Sequence, residues 1–254
     1  MWQRNSYPLS SPMRLPTEQE AFLSKIRRET PGLVARTLNK PISFAITRRL
    51  LRTSITPNQI SIVNFGVALV AAWCLASLSY PTRVLGALLI QLSSILDGCD
   101  GEVARLKNQC SKLGAWLDTI FDDLTNNLFF LAIAIGLWRS TQNGWYLGIG
   151  TEVLFASLGM TAIIYHYLIT VTKSANAAHF KLAWEQDQPN GTTSSSFYNQ
   201  VLKQLLKRDF FIFFMAICIL LNVRIIPFVG AAVAVNIGFA VYAISFFQQL
   251  KQKC

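Results

Sequence analysis

Charge is what this sequence has least of: 14% of its 254 residues are Asp, Glu, Lys or Arg, where a water-soluble domain carries about a quarter. That scarcity excludes an ordinary soluble globule. A disulfide scaffold is excluded too, because Cys74, Cys99, Cys110, Cys218 and Cys254 are scattered and form no CxxC pair; the same spacing offers no zinc site. Glycine and proline are too sparse for a collagen or a low-complexity chain,. The first 16 residues lack the continuous apolar core of a secretory signal,. No internal repeat is visible.

Apolar residues fill the gap, at 52% of the chain with a mean hydropathy of +0.37. Six apolar segments, at about 57–80, 83–106, 112–138, 144–172, 209–224 and 226–250, predict an all-α polytopic membrane protein with six transmembrane helices. With a cytoplasmic N-terminus, 20 of the 23 basic residues fall inside and only Arg83, Arg139 and Arg224 outside. The positive-inside rule then predicts an integral protein of the cytoplasmic or inner membrane, with both termini and the site cytoplasmic. Topology accounts for most of the basic excess behind the net charge of +10, so nucleic acid is not an expected partner.

Three regions are expected. Residues 1–40 form a cytoplasmic segment, in which Thr17 and Glu20 have capping-box spacing and predict a short helix to about Glu29,. Residues 41–56 read as an interfacial amphipathic helix, with Ile42, Ala45, Ile46 and Leu50 near one face and Arg48, Arg49 and Arg52 elsewhere,. Residues 57–250 are the six-helix membrane domain. A polar loop between Lys173 and Asp209 includes a Gly-Thr-Ser hinge at 191–196,.

Six of the 13 acidic residues lie between Asp97 and Asp123, in otherwise apolar segments. A carboxylate at membrane depth is costly and faces a cavity, a cation or another polar group. Asp97 and Asp100 are spaced i, i+3, and Asp118 and Asp122 i, i+4, so two helices each present a pair from one face,. Four like charges need cations, and hard oxygen donors select Mg²⁺, Mn²⁺ or Ca²⁺. Since Mg²⁺ is held jointly by carboxylates and substrate phosphates, a phosphate or diphosphate ligand is expected. Gly101 and Gly114 remove side chains beside the acids, and Arg105, one turn beyond Gly101, reaches back towards the same place,. Gly98 is equally readable as a helix-packing residue.

The pattern Asp97-x2-Asp100-Gly101-x2-Ala104-Arg105-x8-Gly114-x3-Asp118-x3-Asp122 resembles the signature of the CDP-alcohol phosphotransferase (CDP-alcohol phosphatidyltransferase) family at every fixed position. Thr56-Pro57-Asn58 is similar to the start of that family's first membrane helix. The resemblance implies that Asp97, Asp100, Asp118 and Asp122 hold two Mg²⁺ or Mn²⁺ ions around the diphosphate of a CDP-linked donor, with Asp122 also the general base. It implies nucleotide contacts from Gly101, Ala104, Arg105 and Gly114, and Ser111 is added as a further hydrogen-bonding group. The implied reaction is transfer of a substituted phosphate to an alcohol acceptor with release of CMP, in phospholipid or phospho-polyol biosynthesis. Residues 32–36 and 39–43 resemble the entry to the membrane domain of di-myo-inositol phosphate phosphate synthases, whose upstream nucleotidyltransferase domain the present sequence does not contain.

Lys173, Lys181 and Arg208 are candidates to contact an acceptor phosphate, against a reading of these cations as a cytoplasmic charge collar. Asp123, about 100° round the helix from Asp122, is expected to be partnered elsewhere. Glu152 is expected to be solvated or paired near the outer end of its span, and His166 to be a satisfied intramembrane histidine rather than a pocket residue. The expected partners are the donor, the acceptor, the bilayer and a second copy in a homodimer. Two other readings use the same carboxylates: a membrane prenyltransferase, whose aspartate-rich motif Asp122-Asp123-Leu124-Thr125-Asn126 faintly resembles, and a non-enzymatic cation transporter.

Overall fold

The computed structural model describes residues 16–30, 32–167 and 208–253, with side chains described for 17–30, 32–166 and 208–246. The elements, in chain order, are α1 (Pro16–Glu29), a π-helical turn (Ala35–Asn39) running into α2 (Lys40–Leu50), α3 (Pro57–Leu75), α4 (Tyr80–Leu106), α5 (Lys112–Thr141), α6 (Trp145–Tyr167), α7 (Arg208–Leu220) and α8 (Ile225–Lys253). No strand occurs among the described residues. Among the described residues five helices, α3, α4, α5, α6 and α8, are long and apolar enough to cross a membrane. The segment expected at 209–224 is helical over Arg208–Leu220 among the described residues. Trp73, Trp145 and Phe155 are largely exposed, the surface expected where lipid rather than water is the solvent.

Helix α3 begins where its sequence requires. Thr56 accepts from the Gln59 N–H, the Gln59 side chain accepts from the Thr56 N–H, and Pro57 takes a first-turn position whose N–H would have no helical partner,. Helices α3, α4 and α5 form the centre of the bundle, α7 packs on α4, and α6 pairs with α8 beside α5. Their shared core is built largely from small and branched side chains, among them Ala68, Ala71 and Ala72 of α3, Ile90 of α4, Ile133 of α5 and Ile219 of α7, packed around Phe129 of α5. Small residues let membrane helices approach closely.

In α1 both Pro16 and Thr17 are helical, so Thr17 lies within the helix instead of capping it. On α2 the inward face carries Ser43, Phe44 and Thr47 together with two of the expected apolar residues, Ile46 and Leu50, which pack against Ile60, Cys99 and Val103, while Ile42 and Ala45 are exposed. The cause is Glu102 of α4, a fully buried carboxylate. Lys40 Nζ donates to its Oε1 at 2.6 Å, Ser43 Oγ to Oε1 at 2.9 Å and Thr47 Oγ1 to Oε2 at 2.8 Å. Satisfying that charge decides which face of α2 turns inward. Leu23 of α1, Phe44 of α2 and Leu106 of α4 pack together and seat α1 on the same end of the bundle.

Candidate functional site

The C-terminal end of α4 and the N-terminal ends of α3 and α5 meet at one end of the bundle. Asp97 on α4 and Asp118 and Asp122 on α5 each bring a carboxylate oxygen within 4.8 Å of the others. Arg208, the first described residue of α7, lies against them. Its Nη1 is 3.2 Å from Asp97 Oδ2 and 2.5 Å from Asp122 Oδ2, and its Nε donates to Asn126 Oδ1 at 3.3 Å. Asp100 is directed to α3, where Ser61 Oγ donates to its Oδ2 at 2.5 Å.

Beside the acids is a cavity of about 280 Å³ between α3, α4 and α5. Asp100, Gly101, Ala104 and Arg105 form one wall, and Ser111, Gly114 and Asp118 another. The Arg105 guanidinium folds back over Gly101, so a Cβ built there would stand 3.4 Å from Arg105 Nη2. At Gly114 a Cβ would stand 3.1 Å from both Asn58 Oδ1 and Ser111 Oγ. Ser111 caps α5, its Oγ accepting from the Gly114 N–H at 2.9 Å. The cavity thus owes its shape to two glycines, a helix cap and one arginine. Asp97 and Asp122 do not line it, and Asp118 belongs to both the cavity and the acid cluster.

The remaining carboxylates have partners of their own. Asp123 Oδ2 accepts from Tyr165 Oη of α6 at 2.7 Å, and Glu102 is held by α2. Gly98 faces that clasp, since a Cβ there would meet Lys40 Nζ at 3.2 Å; its role is packing beside α2. Glu152 accepts from Asn236 Nδ2 at 3.1 Å, and the His166 ring sits edge-on to Phe246 at 5.7 Å, away from the cavity. Lys173, Lys181 and the 191–196 hinge lie outside the described residues. Cys110, exposed on the loop into α5, also lines the cavity; partial burial raises its thiol pKa, against the lowering effect of Arg105.

Asn58, marked in the sequence only as part of the start of α3, and Ser61, Gln109 and Thr119, which were not among the candidates, also line the cavity. Asn58 and Ser61 carry a signal, being polar side chains at i, i+3 in the first turns of an apolar helix,. The contact of Arg208 with Asp97 spans 111 residues and has no local signature.

The acids can hold a hard divalent cation: three carboxylates converge, Arg208 is the cation in ion-pair contact with them among the described residues, and each offers oxygen donors of the kind Mg²⁺ and Mn²⁺ accept,. The adjoining cavity supplies N–H, hydroxyl and guanidinium groups for a phosphate-bearing ligand.

The sequence profile described as CDP-alcohol phosphatidyltransferase matches residues 54–244. A bifunctional IPC transferase and DIPP synthase of Aquifex aeolicus is 37% identical over 106 residues, covering 42% of this chain and 24% of that protein. Its counterpart in Archaeoglobus fulgidus is 36% identical over 134 residues, 53% of this chain and 24% of that protein. An archaetidylinositol phosphate synthase of Pyrococcus horikoshii is 31% identical over 115 residues, 45% of this chain and 55% of that protein. The matched stretch is therefore about a quarter of the two bifunctional proteins and about half of the third.

Proposed function

The chain belongs to the CDP-alcohol phosphatidyltransferase family, and from that premise we propose that it transfers a substituted phosphate from a CDP-linked donor to an alcohol acceptor, with release of CMP. The observation that carries this reading is the junction at Asp118, where a nucleotide-sized cavity opens onto the trio of carboxylates. In the reaction the acceptor oxygen bonds to the donor phosphorus that bears the transferred group. The P–O bond to CMP breaks, and CMP leaves with its bridging oxygen. Asp122 takes the hydroxyl proton.

The cavity residues position the donor. Gly101 and Gly114 admit the nucleotide close to the backbone, while Arg105 and Ser111 offer charged and hydroxyl contacts to its phosphate or ribose oxygens. Asp97, Asp100, Asp118 and Asp122 would hold Mg²⁺ or Mn²⁺, two ions in this proposal, which would supply neutralisation of charge on the diphosphate. Arg208, already beside Asp97 and Asp122, is placed to meet the phosphate of an acceptor. An inositol-type acceptor is favoured by the name of the archaetidylinositol phosphate synthase. The 57–250 domain is taken to open towards the cytoplasm, the side to which the basic residues point.

The test is purified protein with Mg²⁺ and a panel of CDP-linked donors, among them CDP-inositol and CDP-diacylglycerol, against alcohol acceptors including inositol phosphate. CMP release requiring both substrates and abolished by chelation is the expected result. Release of diphosphate from a prenyl diphosphate, or metal uptake into vesicles with no CMP from any pair, would overturn the proposal.

A further inference from the structure

Helices α1 and α2 precede the stretch matched by the family, which begins at residue 54. Between them lies a second concavity, of about 690 Å³, separate from the acid cluster. Four arginines line it, Arg27 and Arg28 near the end of α1, Arg36 in the π-helical turn and Arg48 on α2. Its only acid is Glu20, which is paired with Arg48 at 2.7 Å. Arg27 Nε donates to the Arg36 carbonyl at 3.2 Å and ties the two walls together. Arg28 and Arg36 are exposed, and neither makes an ion pair among the described residues.

An arginine fork matches phosphate oxygens in pairs, and four such groups against one neutralised carboxylate repel any cation. Arg27 and Arg28 complement the negative C-terminal end of α1, and Arg48, paired with Glu20, that of α2,, but Arg36, in a π-helical turn that continues into α2, has no such task. The surroundings are not those of a site for a free anion. Leu33 is 53% exposed and, at i, i+3 and i, i+4 spacing, shares a helical face with Arg36 and Thr37. Phe44 forms the base of the groove. An anion here would sit beside apolar surface, as a phosphate carrying a hydrocarbon tail does.

We propose that the α1–α2 groove seats the phosphate of an acidic phospholipid headgroup and so docks the N-terminal helices on the membrane surface. The site is independent of the transfer reaction. The full chain in nanodiscs of phosphatidylcholine, with and without phosphatidylglycerol, tests it by amide hydrogen exchange across residues 16–50. Phosphatidylglycerol should slow exchange of α1 by about tenfold. Inorganic phosphate added to neutral discs should not. In Arg28→Gln/Arg36→Gln, which removes exposed groups without ion pairs, the lipid response should vanish while exchange in α5 stays as in the parent. Equal protection by inorganic phosphate would make the groove a free-anion site and overturn the proposal, as would a lipid response that is missing in the parent chain or unchanged in the variant.

Discussion

The clasp between α2 and α4 can be weighed by a double-mutant cycle on Lys40→Met and Glu102→Gln. The Glu102 side chain is completely buried and that of Lys40 is 15% exposed, with 2.6 Å between charged atoms. Lys40→Met leaves an ionised carboxylate in the bundle with two hydroxyl donors and no counter-charge. Breaking a buried pair in this way costs about 3–5 kcal/mol, and the partial exposure of Lys40 favours the lower end. For a chain of this size 1 kcal/mol moves Tm by about 2–4 °C, so a loss of about 3 kcal/mol lowers it by about 6–12 °C. Glu102→Gln removes the charge that needed compensation, keeps an acceptor for Ser43 or Thr47, and leaves a lysine that can reach water. Its cost should be nearer 1–2 kcal/mol. In the double variant no unpaired charge remains, so Lys40→Met should cost far less in the Glu102→Gln background, with a coupling of about 2 kcal/mol. Thermal unfolding in a fixed detergent reads all four corners. Neither residue lines the cavity, so CMP affinity below the melting range should stay within about twofold. Costs that add to within about 0.5 kcal/mol would show that the charge pair is not what holds α2.

Arg105→Ala should weaken CMP binding by about 1.5–3 kcal/mol through loss of a charge-assisted contact, read by calorimetry with Mg²⁺ present; unchanged affinity would make Arg105 a membrane anchor. Asp122→Asn should keep donor binding but lose about 10²–10⁴ in turnover, whereas Asp118→Asn, which belongs to both the cavity and the acid cluster, should chiefly weaken metal and nucleotide affinity. In a Cys254→Ser background, maleimide should label Cys110 ahead of the buried Cys74, Cys99 and Cys218, and CMP with Mg²⁺ should slow it because Cys110 lines the cavity. Since the Cys110 pKa is raised, its thiolate is scarcer near neutrality than a free cysteine's, and labelling should still be rising with pH above the ordinary thiol range near 8.5; a plateau below that range would refute the assignment of its surroundings.

The sequence displayed whatever short-range spacing governs. Thr56, Pro57 and Gln59 announce the start of α3, and the i, i+3 and i, i+4 acids announce two carboxylate-bearing faces. The inward face of α2 was legible only in Ile46 and Leu50, which pack against Ile60, Cys99 and Val103; its polar part, Ser43 and Thr47, was not, because the deciding group, Glu102, is 55 to 62 residues away from its donors. Glu102 itself looked like one more acid beside a motif. For the same reason Arg208 offered itself as a basic residue before an apolar segment, and nothing local tied it to Asp97 and Asp122.

What separates a ligand from a structural acid in this chain is the presence of a committed partner. Six carboxylates lie between residues 97 and 123, and sequence spacing alone gives them similar standing. In the fold, Glu102 has a lysine and two hydroxyls, and Asp123 has Tyr165. Each is satisfied by a neighbouring helix and has little left to offer an ion. Asp97, Asp118 and Asp122 instead face one another with Arg208 as the offsetting charge beside them. If all three are ionised, the surplus is two negative charges at a depth where each is expensive. Protonation can remove that surplus, but a protonated acid is a poor ligand and a poor base. A divalent cation removes it and leaves the oxygens available. The same surplus that would destabilise the bundle is therefore what suits this end of it to a cation, whereas Asp100, whose oxygens accept from Ser61 and the Gly101 N–H on the cavity wall, would have to give up those partners to join the proposed donor set.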